Sequence, residues 1–387
     1  MDIADIFKEM DFTWSERQLA LKSKVIDFAH KELNEDIIRR DANGEFSKSL
    51  WKKCSDYGIL NLASDLDGNK ISFLDLVITM EGFGYACLDN GLALGLGAQM
   101  LSIQMPIQEI GTAYQKETFL KPLANGTMIG AHGLTEPDSG SDVYNLKSTA
   151  TKVKEGYILN GQKCYVTLAP ISDVAIIFAS TNPKLKTMGI SAFLVNTDSK
   201  GFKKNTVQDK MGLKTVPIGE YEFKDCFVPE ENRIGKEGVG LSISQHYLKY
   251  ERCAIMASQV GTMERQLEEC IAFSKNRKQY NQSINNFQSV SNRLANMKLR
   301  LETSRLLLYK VAWLIENKEF STLDAAMLKL HLSESFYESS LDAIRIHGAK
   351  GYLSEFGIER NLRDAAGGLI YAGTSDIQRN LIARLLE

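Results

Sequence analysis

Residues 241–261 read LSISQHYLKYERCAIMASQVG, and this stretch decides how the rest of the chain is parsed. Leu241, Leu248 and Ile255 recur every seven residues and mark the apolar stripe of an amphipathic helix. Glu251 follows Leu248 by three and precedes Ile255 by four, so it points the same way as the stripe. A carboxylate on a core face must be paired, protonated or in use. Two readings stand at this point. One is a Glu251–Arg252 pair at the stripe's edge, the commoner kind of polar intrusion. The other is a carboxyl that burial tunes towards a general base.

Helical period surrounds this stretch and continues to the end of the chain, over 238–275, 288–316, 322–347 and 375–386. Long segments with short connections predict an antiparallel four-helix bundle. Before it, from Met128 to about residue 235, the signals are strands and turns. Asn160-Gly161, between Tyr157-Ile158-Leu159 and Cys164-Tyr165-Val166, predicts a tight hairpin. Val174 to Ala179, Ile190 to Val195 and Tyr221 to Val228 read as further strands, which argues for a β-barrel or sandwich. Earlier still, helical spacing returns: Trp14, Leu19, Leu21, Val25, Phe28 and Ala29; then Leu50, Cys54 and Tyr57; then Phe73 to Tyr85 and Gly91 to Ile110. The expected fold is α+β and multidomain. A helical N-terminal domain spans 1–125, a β-barrel 126–236 and a C-terminal four-helix bundle 237–387. A β module between two helical ones offers a cleft at the junctions, a common place for a cofactor.

With 387 residues the chain has length for two or three cores. A net charge of −2 gives no reason to expect nucleic acid or an anionic membrane surface. The six cysteines form no C-x-x-C and the five histidines no H-x-x-x-H, so neither a disulfide framework nor a metal site is indicated. No apolar run reaches membrane-spanning length, and the acidic start MDIADIFKEMDFTWSERQ lacks a signal peptide's layout. The expected location is cytoplasmic.

Three motifs carry chemistry. LTEPDSGSD, Leu134 to Asp142, is a polar turn at the helical-to-β transition, offering hydroxyls and backbone N–H groups of the kind that hold electron-rich rings and phosphates. KCYVT, Lys163 to Thr167, places Tyr165 and Thr167 on one face of a strand, an aromatic beside a hydroxyl. In IYAGTSDIQRN, Ile370 to Asn380, Ser375 and Gln378 read as a capping box opening a helix whose N-terminus favours an electronegative group. Taken alone, each also fits an ordinary loop, strand or cap.

Together, over essentially the whole chain, these motifs and the three-zone layout resemble the acyl-CoA dehydrogenase family. That resemblance implies FAD, a homotetramer and desaturation of an acyl thioester between Cα and Cβ, with a base taking the α-proton and the β-hydrogen passing as hydride to flavin N5. It implies cofactor contacts by His132, Leu134 and Thr135, by Tyr165 beside the flavin and Thr167 at N5, and by Thr374 and Asp376 of the last motif. Ser141 would lie near the flavin phosphates or the thioester-bearing arm. Arg277, with Gln279 and Tyr280 beside it, matches an arginine that reaches a neighbouring subunit's FAD; Gln288 and Arg345 match further FAD contacts. Tyr247, Arg252, Tyr371 and Ala372 fall on the substrate side, the three tyrosines Tyr247, Tyr250 and Tyr371 suggesting a polar pocket for a small acyl group.

The chain departs from the family pattern where it matters most. Many members carry the catalytic glutamate directly after the tyrosine of the last motif, where this chain has Ala372. In the isovaleryl- and long-chain-type branches the base sits on a bundle helix in a Glu-Arg pair, and Glu251-Arg252 matches that position. Asn281 and Arg345 replace a usual glycine and glutamine, and Asp376 a longer side chain. The implied donor for the thioester oxygen, the backbone N–H at Ala372, survives loss of the side chain. Dehydrogenases of aminoacyl or prolyl groups on carrier proteins also look like this branch, so substrates on CoA and on a carrier protein both stay open. The electron acceptor is electron-transfer flavoprotein or O2. A flavin oxidase or monooxygenase, and a non-catalytic relative, are the alternatives.

Overall fold

The computed structural model describes residues 13–66, 68, 71–205, 207–319 and 321–387; the amphipathic segment expected at residues 1–12 lies outside them. Ser15 opens helix α1 (Glu16–Glu32) with a reciprocal capping box to Gln18. Val25 and Ala29 of α1 are buried, whereas Leu19, which the spacing assigned to the same face, is 53% exposed. Phe28 stacks on Tyr57 of α2 (Lys48–Tyr57) with ring centroids 4.0 Å apart. Helix α3 (Phe73–Ala86) is buried along nearly its whole length. Helix α4 (Asn90–Gln99) continues through a π turn, Met100–Gln104, into Met105–Ile110.

The strands are β1 (Gly130–Gly133), β2 (Thr149–Val153), β3 (Gly156–Thr167), β4 (Val174–Ser180), β5 (Ile190–Asn196), β6 (Phe202–Lys204), β7 (Ile218–Pro229) and β8 (Arg233–Ile234). They form one sheet in the order β6-β7-β3-β2-β4-β5-β8, with β1 also paired to β4. The sheet curls far enough for Tyr157 of β3 to meet Phe193 of β5, ring centroids 4.8 Å apart. The hairpin expected at Asn160-Gly161 is not there. Asn160 lies inside β3, opposite Thr149, and Gly161 (φ +146°) sits at a register shift against β7. Glycine's tolerance of positive φ serves a bulge here rather than a turn. The tight connection is instead Lys154-Glu155, which closes the β2–β3 ladder at Val153 and Gly156.

The C-terminal helices are α5 (Gly240–Asn276), α6 (Gln288–Glu316), α7 (Thr322–His347), α8 (Ile358–Gly368) and α9 (Ser375–Leu385). Helix α8 did not show in the periodicity. Helices α3 and α5 cross at backbone contact: a Cβ on Gly84 would come within 1.9 Å of the Ser258 carbonyl oxygen, and one on Gly261 within 2.0 Å of that of Glu81. This close crossing brings the N-terminal helices directly onto the helix carrying Glu251. Among the described residues no helix is long and apolar enough to cross a membrane.

Candidate active site

Glu251 is partly buried on α5, and the hydroxyl of Ser102, on the π turn, donates to its Oε2 at 2.7 Å. Burial pushes the Glu251 carboxyl above its usual range; the Ser102 hydrogen bond and the Arg252 cation oppose this without cancelling it. Arg252 itself is 6% exposed, and burial draws its guanidinium down to about 10 against the pull of Glu251. Its Nε donates to the carbonyl oxygen of Ala372 at 3.0 Å.

Ala372 and Gly373 both have positive φ, +53° and +91°. For alanine this left-handed conformation costs roughly 1–2 kcal/mol, so the surroundings must hold it. Gln378, fully buried on α9, donates Nε2 to the carbonyls of Gly373 at 3.0 Å and Ala372 at 3.3 Å. A Cβ on Gly373 would be strained at this φ and would fall 2.6 Å from that same Nε2, displacing Gln378. Tyr371, just before the turn, accepts a 2.6 Å hydrogen bond from Gln259 of α5.

The helix after the turn is capped one residue earlier than the sequence suggested. Thr374, not Ser375, is the N-cap, its Oγ1 accepting from Ile377 N at 3.2 Å. Gln378 is consequently free to hold the turn, and the buried Ser375 Oγ has no partner among the described residues. Asp376, in the first turn of α9, is exposed.

The Leu134–Asp142 loop is fixed by a buried carboxylate. Glu136 accepts from Lys163 Nζ at 2.6 Å and from the backbone N–H groups of Lys147 at 2.5 Å and Ser148 at 3.0 Å. Lys163 Nζ also bonds the Leu134 carbonyl at 3.2 Å, and Cys164 N donates to Thr135 O at 2.9 Å. Burial would raise the Glu136 carboxyl, but the Lys163 cation and these hydrogen bonds outweigh it and hold it below the usual range. Leu134 and Thr135 are thereby locked in place yet partly exposed, and Ser141 is exposed. His132 is kept neutral: burial and then Lys163 draw its imidazole down to about 4.

Tyr165 does not follow strand alternation. A bulge between Lys163 and Val166 gives it φ +55° and turns its ring out, 64% exposed. Thr167 is partly buried beside Leu168, which faces Gly95 of α4. The extra residue in β3 breaks the two-residue period that placed the two side chains together.

Arg277, Gln279, Tyr280 and Gln288 are all exposed, at the far end of α5 and the start of α6. Arg277, the C-cap of α5, lies twenty-six positions beyond Glu251, roughly 39 Å along the helix at 1.5 Å each. Tyr280 and Asn281 both have positive φ (+50°, +61°) and form the turn of a hairpin pairing Gln279 with Gln282, which suits asparagine where the family has glycine. Arg345, exposed on the last turn of α7, pairs with Asp342 at 3.4 Å. Of the residues expected to hold FAD, those around Arg277 thus lie at the opposite end of α5 from Glu251, whereas Thr374 and Asp376 follow the turn bonded to Arg252. The three tyrosines also separate: Tyr247 lies in the core beneath β4 and β5 and donates to Glu109 at 2.9 Å, with Tyr250 packed beside it, whereas Tyr371 belongs to the main core.

Ser102, Glu136, Lys163 and Gln259 were not singled out by sequence. Their contacts join positions 27 to 149 residues apart, which no local period reveals. The residues present suit a flavin: a planar ring needs an apolar ledge with donors at its edge, and the Leu134-Thr135 and Tyr165-Thr167 segments supply both. Ser375 Oγ offers a further donor.

Models of the N-terminal, middle and C-terminal domains of acyl-CoA dehydrogenases match residues 15–127, 131–226 and 238–387. An L-prolyl-[peptidyl-carrier protein] dehydrogenase of Pseudomonas fluorescens is 38% identical over 98% of this chain and 100% of its own length. The crystal structure of the prolyl acyl carrier protein oxidase AnaB superposes with a TM-score of 0.94 at 42% identity, covering 97% of this chain and 100% of AnaB. PigA with FAD and proline does so with a TM-score of 0.94 at 37% identity, covering 97% and 99%. On matches spanning all three domains, the chain belongs to the acyl-CoA dehydrogenase family.

Proposed function

We propose that this protein is an FAD-dependent dehydrogenase of acyl thioesters, with Glu251 as its base and a small aminoacyl group, prolyl in the first instance, on a carrier protein as substrate. The observation that carries the reading is the position of Glu251: a carboxyl lifted by burial, beside a turn whose Ala372 has no acidic side chain to compete for the role. A base of raised pKa is better matched to an acidic C–H than an ordinary carboxylate and is still ionised once the pH exceeds that pKa.

Glu251 takes the α-proton. Charge then develops on the thioester oxygen, and the backbone N–H of Ala372 supplies a donor for it. The turn that presents this N–H is held by Arg252 and Gln378 on the Ala372 carbonyl, and flanked by hydrogen bonds from Tyr371 N to Gly367 O and Ser375 N to Leu369 O. Leu134, Thr135, Tyr165, Thr167, Thr374 and Asp376 would hold the flavin; His132 would sit behind that ledge, and Ser141 would meet the flavin phosphates or the pantetheine arm. When bound, FAD supplies the two-electron acceptor for the β-hydrogen.

The distant group, Arg277, Gln279, Tyr280, Gln288 and Arg345, would reach the FAD of another subunit in a homotetramer. Its exposure and its separation from Glu251 by the length of α5 support this. We place the enzyme in the cytoplasm, with electron-transfer flavoprotein or O2 as the acceptor. A carrier protein is favoured over CoA by the substrates for which the prolyl-specific relatives are named. Anaerobic titration of the flavin-loaded protein with matched carrier-linked and CoA-linked prolyl and short acyl thioesters tests the reading. Bleaching of the flavin by carrier-linked prolyl alone supports it, and bleaching by CoA thioesters alone would refute the carrier assignment.

A further inference from the structure

Ser102 reaches Glu251 from another domain and from an unusual piece of backbone. It is the central residue of the π turn Met100–Gln104, which interrupts an otherwise continuous helix from Asn90 to Ile110. A π turn has poorer geometry than an α turn and inserts an extra residue, rotating the helix downstream of it; such turns concentrate at functional sites. Here the interruption falls where the helix meets α5. Ser102 is 6% exposed, and its hydroxyl donates to Oε2 at 2.7 Å, a length typical of a charge-assisted bond. The helix is pinned just ahead of this contact. Gly97 lies against Ile255, one helical turn beyond Glu251, a Cβ there falling 3.0 Å from the Ile255 side chain. Two residues on, Gln99 Oε1 accepts from Gly130 N at 2.8 Å, tying the helix to β1.

We propose that Ser102 is a positioning residue for the base: by engaging Oε2 it fixes the carboxylate's rotation and leaves Oε1 to take the α-proton. The inference rests on Glu251 being the base and adds a residue from the N-terminal domain to the machinery. It also bears on the substrate. A hydroxyl in hydrogen-bond contact with the base leaves no passage for an acyl chain between Glu251 and this helix. The other groups facing Glu251 are Arg252 on its own helix and Tyr371 after α8, whose phenol is raised by burial and then by the Glu251 charge and so stays protonated. Lys329 of α7 faces Arg252.

The test is the rate of flavin reduction by carrier-linked prolyl thioester as a function of pH, in wild type, Ser102→Ala, Ser102→Thr and Glu251→Gln, each checked for FAD content. Expected for Ser102→Ala is full FAD content, a reduction rate lowered by roughly tenfold or more from misplacement of the base, and an acid limb moved to higher pH, because the lost donor stabilised the ionised carboxylate. Ser102→Thr, which keeps the hydroxyl, restores both. Wild-type rate and limb in Ser102→Ala overturn the inference while leaving Glu251 as base. So does a slowed Ser102→Ala whose limb is unmoved or whose loss tracks FAD content, since a packing defect alone would do that. Undiminished reduction in Glu251→Gln instead rejects the base itself, and the inference with it.

Discussion

The guanidinium of Arg252 is bonded through Nε to the carbonyl oxygen of Ala372 at 3.0 Å, one residue along the chain from Glu251. The helix turn carrying Glu251 and the turn after Tyr371 are thus joined by a single buried side chain. Replacing Arg252 with Met releases the turn and removes the cation that favours ionised Glu251. Flavin reduction should fall by roughly 100-fold, with its acid limb moved to higher pH, in stopped-flow measurements. An unmoved limb would show that Arg252 does not act on the base.

Lys163 and Glu136 lie 2.6 Å apart, 0% and 5% exposed as side chains, and together fix the Leu134–Asp142 loop. Lys163→Ala leaves Glu136 buried without its cation and should lower unfolding free energy by roughly 3–5 kcal/mol in chemical denaturation. The surviving folded protein should release FAD more readily on dialysis. Lys163→Met with Glu136→Gln should recover most of the stability, because no charge is then stranded.

Lys329 is fully buried, its Nζ has no partner among the described residues, and burial followed by Arg252 lowers its pKa to about 8 from 10.5. Between those two values the unfolded chain holds a proton that the native chain has released, so the burden on the fold shrinks as pH rises through this window. Lys329→Met should therefore stabilise the protein most at neutral pH, and its advantage should fade from pH 8 to 10.5. Denaturation curves of the two proteins across that range check this; a constant difference would contradict it.

Tyr280 is 90% exposed at the tip of the Gln279–Gln282 hairpin, with Arg277 at its base. If this end of the chain completes a neighbouring subunit's FAD site, Arg277→Glu should lower both FAD content and assembly size in sedimentation velocity. The monomer's melting temperature in the absence of FAD should change little, since neither side chain is buried in the subunit.

The three-zone layout was legible because burial shapes sequence: long apolar stretches on α3 and α4, helical spacing on the helices around them, and apolar runs on β4 and β5. The partial burial of Glu251 was legible for the same reason, a charge out of place in a stripe. What escaped was set by contacts across the chain. Asn160-Gly161 carries the sequence of a turn, but β7 pairs along β3 through it and makes it a bulge. Tyr165 follows Cys164 in a strand, yet the bulge before Val166 turns it outward. The cap lies at Thr374 rather than Ser375, and Gln378, expected to complete a capping box, instead donates to the Ala372 and Gly373 carbonyls. Ser102 is a small hydroxyl in an apolar run, and only the packing of α4 on α5 gives it a carboxylate to meet.

The central claim is that Glu251 removes the substrate's α-proton. Glu251→Gln keeps the size of the side chain and its contact with Ser102 while removing the basic oxygen. The most direct measurement is anaerobic stopped-flow reduction of the bound flavin by carrier-linked prolyl thioester. The account predicts a Glu251→Gln protein with wild-type FAD content and flavin reduction slowed by at least roughly 100-fold; reduction at the wild-type rate would contradict it.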